Sequence, residues 1–423
     1  MTSTPNEIIV IKPGRLIDGQ GSPPVQGHAV AVRGNRITWC GPAEQAGDPA
    51  GPVLGPDGSP IPWVLDLPTA TLLPGLIDCH AHVFIGQFTD NQSVLPSEMT
   101  ARSSTYLREM ILRGFTTIRD AGGADYGHKM SVERGYFEGP RMFVSGRILS
   151  QTGGHGDHRG KADFCSCANA SMGVARIADG VDAVRHAVRE EIRHGVDQIK
   201  IMAGGGVSSP ADELHHLQYS TDEVVAIVDE ATRAGRYVMS HVYNTDGIKR
   251  AVECGVRTIE HGNFLDEKTA NVMAKQGAYL VPTLVTYRAD AKYGPSFGWA
   301  EENERKYQEV REAGVQSLEI AMRSGVKIGY GTDLCWSPKS YQPECLLVHN
   351  EVMSPVEAIQ NATIINAEIV RMENVLGVIA PGALADLLVV DGDPTDDLGV
   401  LQNEGEHMTA IMANGTFAKN NLS

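Results

Sequence analysis

The chain has 423 residues, a formal net charge of -16 and a sequence pI near 5.3, a length that predicts a large domain with a smaller one beside it. Acidic and basic residues are interspersed, which disfavours nucleic acid and anionic membrane as partners and points to a small molecule. No apolar run approaches membrane-spanning length, the opening residues show no basic-then-apolar leader, and the 7 cysteines are scattered, so a reduced cytoplasmic protein is expected.

The first elements are β-prone. His28–Arg33 and Arg36–Cys40 flank Gly34-Asn35, a two-residue hairpin signal, and Gly41 to Pro62 is Gly- and Pro-rich and reads as a loop. Leu387–Val390 and Ala410–Ala413, with an Asn414-Gly415 turn, repeat this character at the far end. Each end is too small to bury a core alone, so residues 1–70 and 367–423 are expected to pack together as one discontinuous β-sandwich domain.

Residues 71–366 alternate strands with amphipathic helices, the pattern of a parallel sheet. Eight strand candidates run Leu76–His82, Phe115–Arg119, Arg141–Ser145, Gln198–Met202, Tyr237–His241, Thr258–His261, Tyr279–Thr283 and Lys327–Thr332. Ser220-Thr221-Asp222-Glu223 and Ser354-Pro355-Val356-Glu357 fit capping boxes, and Gly255 and Gly277 stand where helices should stop. An α/β fold, a TIM-type (β/α)8 barrel, follows as the expectation. The stretch from Ile148 to Gly180 is too long for a simple turn and is expected to cover the site; its Cys165-Ser166-Cys167 pair lacks the second pair of a zinc pattern and reads as reduced thiols.

The strand ends carry the chemistry. His80 and His82 share one face of a strand by the period of two, and Lys200, His241, His261 and Asp333 close later strands. Taken singly, each has an ordinary explanation: a loop histidine, a satisfied core histidine, an aspartate capping the next helix. Their common placement at the C-terminal ends of barrel strands is what points to a site. Two histidines, a carboxylate and further imidazoles suit a divalent transition metal, zinc first. Lys200 is the misfit, because an ammonium has no lone pair; carbamylated by carbon dioxide, it gains two anionic oxygens and can bridge two cations. One metal is then expected on His80, His82 and Asp333, the other on His241 and His261. Asp333 would serve as general base and then general acid around the attack of a bridging hydroxide.

These residues resemble the amidohydrolase superfamily, in the order His-x-His, lysine, His, His, Asp, and in the stretches Leu73–His82, Gly331-Thr332-Asp333 and Pro381–Leu387. Gly154-His155-Gly156-Asp157, Gln198–Val207 and Arg257–Asn263 are similar to its imidazolonepropionase-related branch, which includes microbial metal dipeptidases; the likeness is greatest to Xaa-Pro dipeptidases, or prolidases. The resemblance implies hydrolysis of the imide bond of small dipeptides, with enzymes for other C-terminal residues such as Xaa-Arg or Xaa-Lys, and hydrolases of ochratoxin-type N-acyl amino acids, as competitors. A mononuclear deaminase or an imidazolonepropionase would not need Lys200, and a non-catalytic scaffold would be expected to have lost ligands. A homo-oligomer is also expected.

Substrate contacts are expected from the loops. Arg159 has the forked donors that grip a carboxylate, although a solvated loop arginine is the preferred reading of the sequence alone. Tyr243 lies two residues beyond His241 and shares its direction if the strand continues; His155 is placed to polarise the scissile carbonyl, and its glycine neighbours permit close approach. His158 and Tyr287 are further pocket candidates.

Overall fold

The computed structural model describes residues 8–422 apart from 47–52, 55–59, 62, 86–93, 161, 163, 165–173 and 298–299, so the Cys165–Cys167 pair lies outside the described residues. Both chain ends join one seven-stranded sheet, in the order Thr416–Asn420, Met408–Ala413, Leu387–Asp391, Trp63–Pro74, Ile8–Leu16, His28–Arg33, Arg36–Pro42. Only the central pair, Ile8–Leu16 with Trp63–Pro74, is parallel. The alternation of these strands drives the pairing: Ile9, Ile11, Val30, Val32, Leu387, Val389, Ala410 and Met412 enter one buried cluster. Asn414 and Gly415 both have positive φ, 49° and 77°, the conformation a two-residue hairpin of this type requires. Trp63–Pro74 was not foreseen, and two short strands, Val53–Leu54 and Pro60–Ile61, pair within the expected loop.

The middle of the chain is α/β with parallel sheets. One holds Leu76–Ala81, Phe115–Asp120 and Arg141–Phe143; the other runs Ala175–Ile177, Ile148–Ser150, Ile199–Met202, Val238–Val242, Thr258–His261, Tyr279–Val281, Lys327–Ile328. Their residues are buried on both faces, which explains runs that are apolar without alternation. Backbone hydrogen bonds link the sheets at both edges: Asp197 N–H donates to Val144 O at 2.8 Å, and Cys79 N–H to Tyr330 O at 2.8 Å. The expected strand from Lys327 to Thr332 stops at Ile328, because Asn366 takes over the backbone there: its Nδ2 donates to Ile77 O at 2.6 Å and Tyr330 O at 2.8 Å, while its Oδ1 accepts from Tyr330 N–H at 3.0 Å. Ile148–Ser150 and Ala175–Ile177 are strands where a long connection was expected.

Helix ends follow the sequence signals. Ser220 with Glu223 and Ser354 with Glu357 form reciprocal capping boxes, and Gly277 closes its helix at φ 68°. No helix of the described residues is long and apolar enough to cross a membrane.

Candidate metal centre

Parallel pairing brings the strand ends to one rim, and the expected ligands meet there. One ligand atom each of His80, His82 and Asp333 lies within 4.8 Å of the others. His261 joins them, with its ring centroid 5.1 Å from that of His80 and 4.5 Å from that of His241. Lys200, His155, His158, Tyr243 and Tyr287 line the same cavity. Arg159 does not; its Nε and Nη2 grip the Asp157 carboxylate at 2.7 and 2.5 Å, so the fork expected to hold a substrate carboxylate is already engaged.

The first strand is locked to the last by Asp78, which sequence reasoning passed over. Its carboxylate accepts from His80 N–H at 3.0 Å, Thr332 Oγ1 at 2.6 Å and Gln342 Nε2 at 3.0 Å, setting Asp333 beside the His80 ring. Asp120 does the same for the second strand by accepting from Val83, Gly122 and Ala124 N–H, while Gly122 O receives His82 Nδ1–H at 2.8 Å. His80 Nδ1–H donates to Glu260 Oε2 at 2.7 Å. These bonds hold both rings with Nδ1 turned to its acceptor and Nε2 turned to Asp333, 3.5 Å away for His80 and 3.2 Å for His82, the orientation a metal ligand needs. His261 and Asp333 have φ of 72° and 52°, a left-handed backbone rarely adopted by non-glycine residues and commonest where a site demands it.

Electrostatics suit the same purpose. Burial drives His80 and His241 well below the ordinary imidazole value and lowers His261 to about 3, so these rings are neutral. Burial also lowers Lys200, which is 2% exposed and whose ammonium makes no hydrogen bond among the described residues. Burial opposes ionisation of Asp333, but contact with the surrounding imidazoles outweighs it and holds the carboxyl well below its usual range, while Cys335 and Asp333 raise His82 well above the ordinary imidazole value against its burial. Four imidazoles, three of them neutral, an ionised carboxylate and an amine disposed to lose its proton are a donor set for divalent cations, so the residues present fit such a group.

His155 stacks on His241 with centroids 4.2 Å apart, and burial lowers it to about 4. Its Nδ1 is 2.7 Å from Ser209 Oγ, and that hydroxyl in turn donates to Asp212. Having given its single proton to Asp212, Ser209 can only accept from His155, which leaves Nε2 unprotonated in the neutral ring. His155 can therefore polarise a carbonyl only after taking up a proton.

Residues 71–418 match the sequence model of the amidohydrolase family. The chain is 31% identical over 370 residues to an ochratoxinase of Aspergillus niger, covering 82% of this chain and 75% of that protein. It superposes on a solved prolidase in complex with N-methylphosphonate-L-proline with a TM-score of 0.90 and 44% identity, covering 98% of this chain and 100% of the other. A solved Xaa-Pro dipeptidase with methionine in its active site gives a TM-score of 0.86 at 29% identity, over 97% and 99% of the two chains.

Proposed function

The chain belongs to the amidohydrolase family, and from that premise we propose that it is a binuclear metal-dependent dipeptidase that hydrolyses Xaa-Pro dipeptides. The reading is carried by the convergence of His80, His82 and Asp333 beside His241, His261 and the buried Lys200 amine. His80, His82 and Asp333 would hold one cation, His241 and His261 the other, and Lys200 would bridge them once its neutral amine adds carbon dioxide and releases a proton. When bound, two divalent cations, zinc by donor type, supply Lewis acidity and lower the pKa of water.

The side chains have separable tasks. Asp333, ionised in its place, takes the proton of the attacking water and returns it to the departing nitrogen. That return is essential for a prolyl leaving group, since an amine leaves poorly until it is protonated. Tyr243 and Tyr287, joined hydroxyl to hydroxyl at 3.3 Å, and His158 line the space for the substrate. The resemblance to a prolidase along the full length of both chains supports proline as the residue released.

The same reading takes the edge-linked parallel sheets as a TIM-type (β/α)8 barrel of residues 71–366 and the seven-stranded sheet as the body of a β domain built from 1–70 and 367–423. The domain is discontinuous because Trp63–Pro74 pairs with Leu387–Asp391.

A second reading, hydrolysis of an ochratoxin-type N-acyl amino acid, is favoured by the Aspergillus niger relative. A hydrolysis screen of metal-loaded protein separates them, using dipeptides that vary both residues, Xaa-Pro and Xaa-Arg included, with ochratoxin added. Cleavage of Xaa-Pro members is expected; cleavage of ochratoxin alone would replace the first reading by the second.

A further inference from the structure

One carboxylate in the cavity has no part in the scheme above. Asp290 lies on the helix Leu284–Tyr293 and lines the same cavity as the metal ligands, although it is only 7% exposed. Thr286, one turn earlier on the same helix face, donates through Oγ1 to the backbone oxygen of Asp333 at 2.9 Å. Asp290 is thus within one helical turn of a residue touching the candidate metal site. Tyr287, Tyr307 and Trp336 line the cavity with it.

Its surroundings are unusual for a buried acid. Hydroxyl groups attend it: Ser337 Oγ donates to its Oδ1, and the Thr286 hydroxyl, whose proton goes to Asp333 O, lies beside it. Among the described residues no basic side chain forms an ion pair with it; the Lys339 ammonium acts on it only from a distance and hydrogen-bonds Cys335 O at 3.0 Å. Burial, with Asp333 adding to it, lifts Asp290 to about 7. A buried carboxylate is normally paired, and among the described residues no side-chain cation pairs with Asp290, so its charge faces the substrate cavity.

We propose that Asp290 is a specificity residue that receives a cationic nitrogen of the substrate, the free α-ammonium of the dipeptide or a basic side chain. The inference rests on the dipeptidase reading and sharpens it, because a neutral N-acyl amino acid offers no such nitrogen. Aromatic side chains on the same wall suit a cation or its aliphatic stem.

The test compares kcat and KM of wild type and Asp290→Asn on matched substrates: free against N-acetylated Xaa-Pro, Lys-Pro against Met-Pro, and Xaa-Arg against Xaa-citrulline. Wild type should favour the charged member of at least one pair by 10-fold or more in kcat/KM. Asp290→Asn should lose that preference through KM, with the neutral member unaffected, and the pair affected identifies the nitrogen. Equal ratios in wild type and variant would overturn the inference while leaving the dipeptidase reading intact. Wild type that cleaves none of the dipeptides would remove that reading, and this inference with it. Should Asp290→Asn not fold, wild type alone still decides, since indifference to charge in all three pairs overturns the proposal.

Discussion

Glu260 joins the buried guanidinium of Arg119 to the imidazole of His80, accepting from Arg119 Nη2 at 2.9 and 3.0 Å and from His80 Nδ1 at 2.7 Å. Both charged residues are fully buried and paired, and the pair ends on a candidate metal ligand.

Glu260→Gln should therefore act twice. Leaving Arg119 buried and uncompensated should cost about 3–5 kcal/mol of stability. Losing the carboxylate behind His80 should weaken metal affinity about 10–100-fold. Urea denaturation of the metal-free protein reads the first effect and a competitive metal titration the second. Wild-type values for both would show that the contact positions nothing.

Lys200→Ala removes the only amine among the described residues that line the cavity. The variant should fold and bind about one metal fewer per chain, and turnover should fall by several orders of magnitude, because a methyl group cannot bridge two cations. Metal analysis after dialysis against bicarbonate-containing buffer checks the stoichiometry. Two tightly held metals with near-normal turnover would exclude a bridging lysine.

Asp333→Asn tests proton transfer at the position where His82 Nε2 approaches Asp333 Oδ1 at 3.2 Å. An amide retains the shape but cannot take up a proton at the pH of the reaction. We expect folded protein with kcat reduced at least about 100-fold, the lower end of what general acid–base catalysis contributes. A rate within a few-fold of wild type would remove that role.

The strand-end ligands were legible because a parallel strand advertises itself as an apolar run, and a histidine, lysine or aspartate closing such a run is conspicuous. His80, His82, His241 and His261 stood at such ends and Asp333 closed the run after Lys327, while Lys200 stood out as a charge inside the run Gln198–Met202. Glu260 and Arg119 also lie in strands, but a charged residue inside a run reads as an interruption unless its partner is known, and that partner comes from another strand. Asp78, Asp120 and Asp212 were hidden for the same reason, since they act on backbone amides and side chains that only the fold brings near. Arg159 shows the converse limit: its forked donors suit a carboxylate, and it found one two residues away in Asp157. The strand Trp63–Pro74 was missed because Pro68 and the Gly- and Pro-rich segment before it suggested a loop, whereas pairing on both sides holds the chain extended.

Gly206 faces the His155 ring so closely that a Cβ there would lie 2.0 Å from its Cε1. Gly206→Ala must push the imidazole off its stack on His241 and away from Ser209. Overpacking of this kind costs about 1–3 kcal/mol. Turnover should drop about 10-fold or more in protein that still loads metal normally. Unchanged kcat/KM across a dipeptide series would show that the position of His155 is immaterial.

Sensitivity to acid is traced to histidines that burial keeps neutral. Burial lowers His349 to about 4, and it stands apart from the metal site, with Nδ1 accepting from Asn361 Nδ2 at 3.2 Å. In the metal-free protein His155 and His261 are lowered by burial too, to about 4 and about 3. Between these values and about 6.5 the unfolded chain binds protons that the folded chain refuses, so stability is full above that range and declines as pH falls through it. His349 alone accounts for a loss on the order of 3 kcal/mol by pH 4. Replacing it in His349→Leu should lower the slope of unfolding free energy against pH by one proton, about 1.4 kcal/mol per pH unit near pH 5, whatever the cost at neutral pH. Chemical denaturation of both proteins at intervals from pH 4 to pH 8 measures the difference. Parallel curves would mean that His349 is already protonated in the fold.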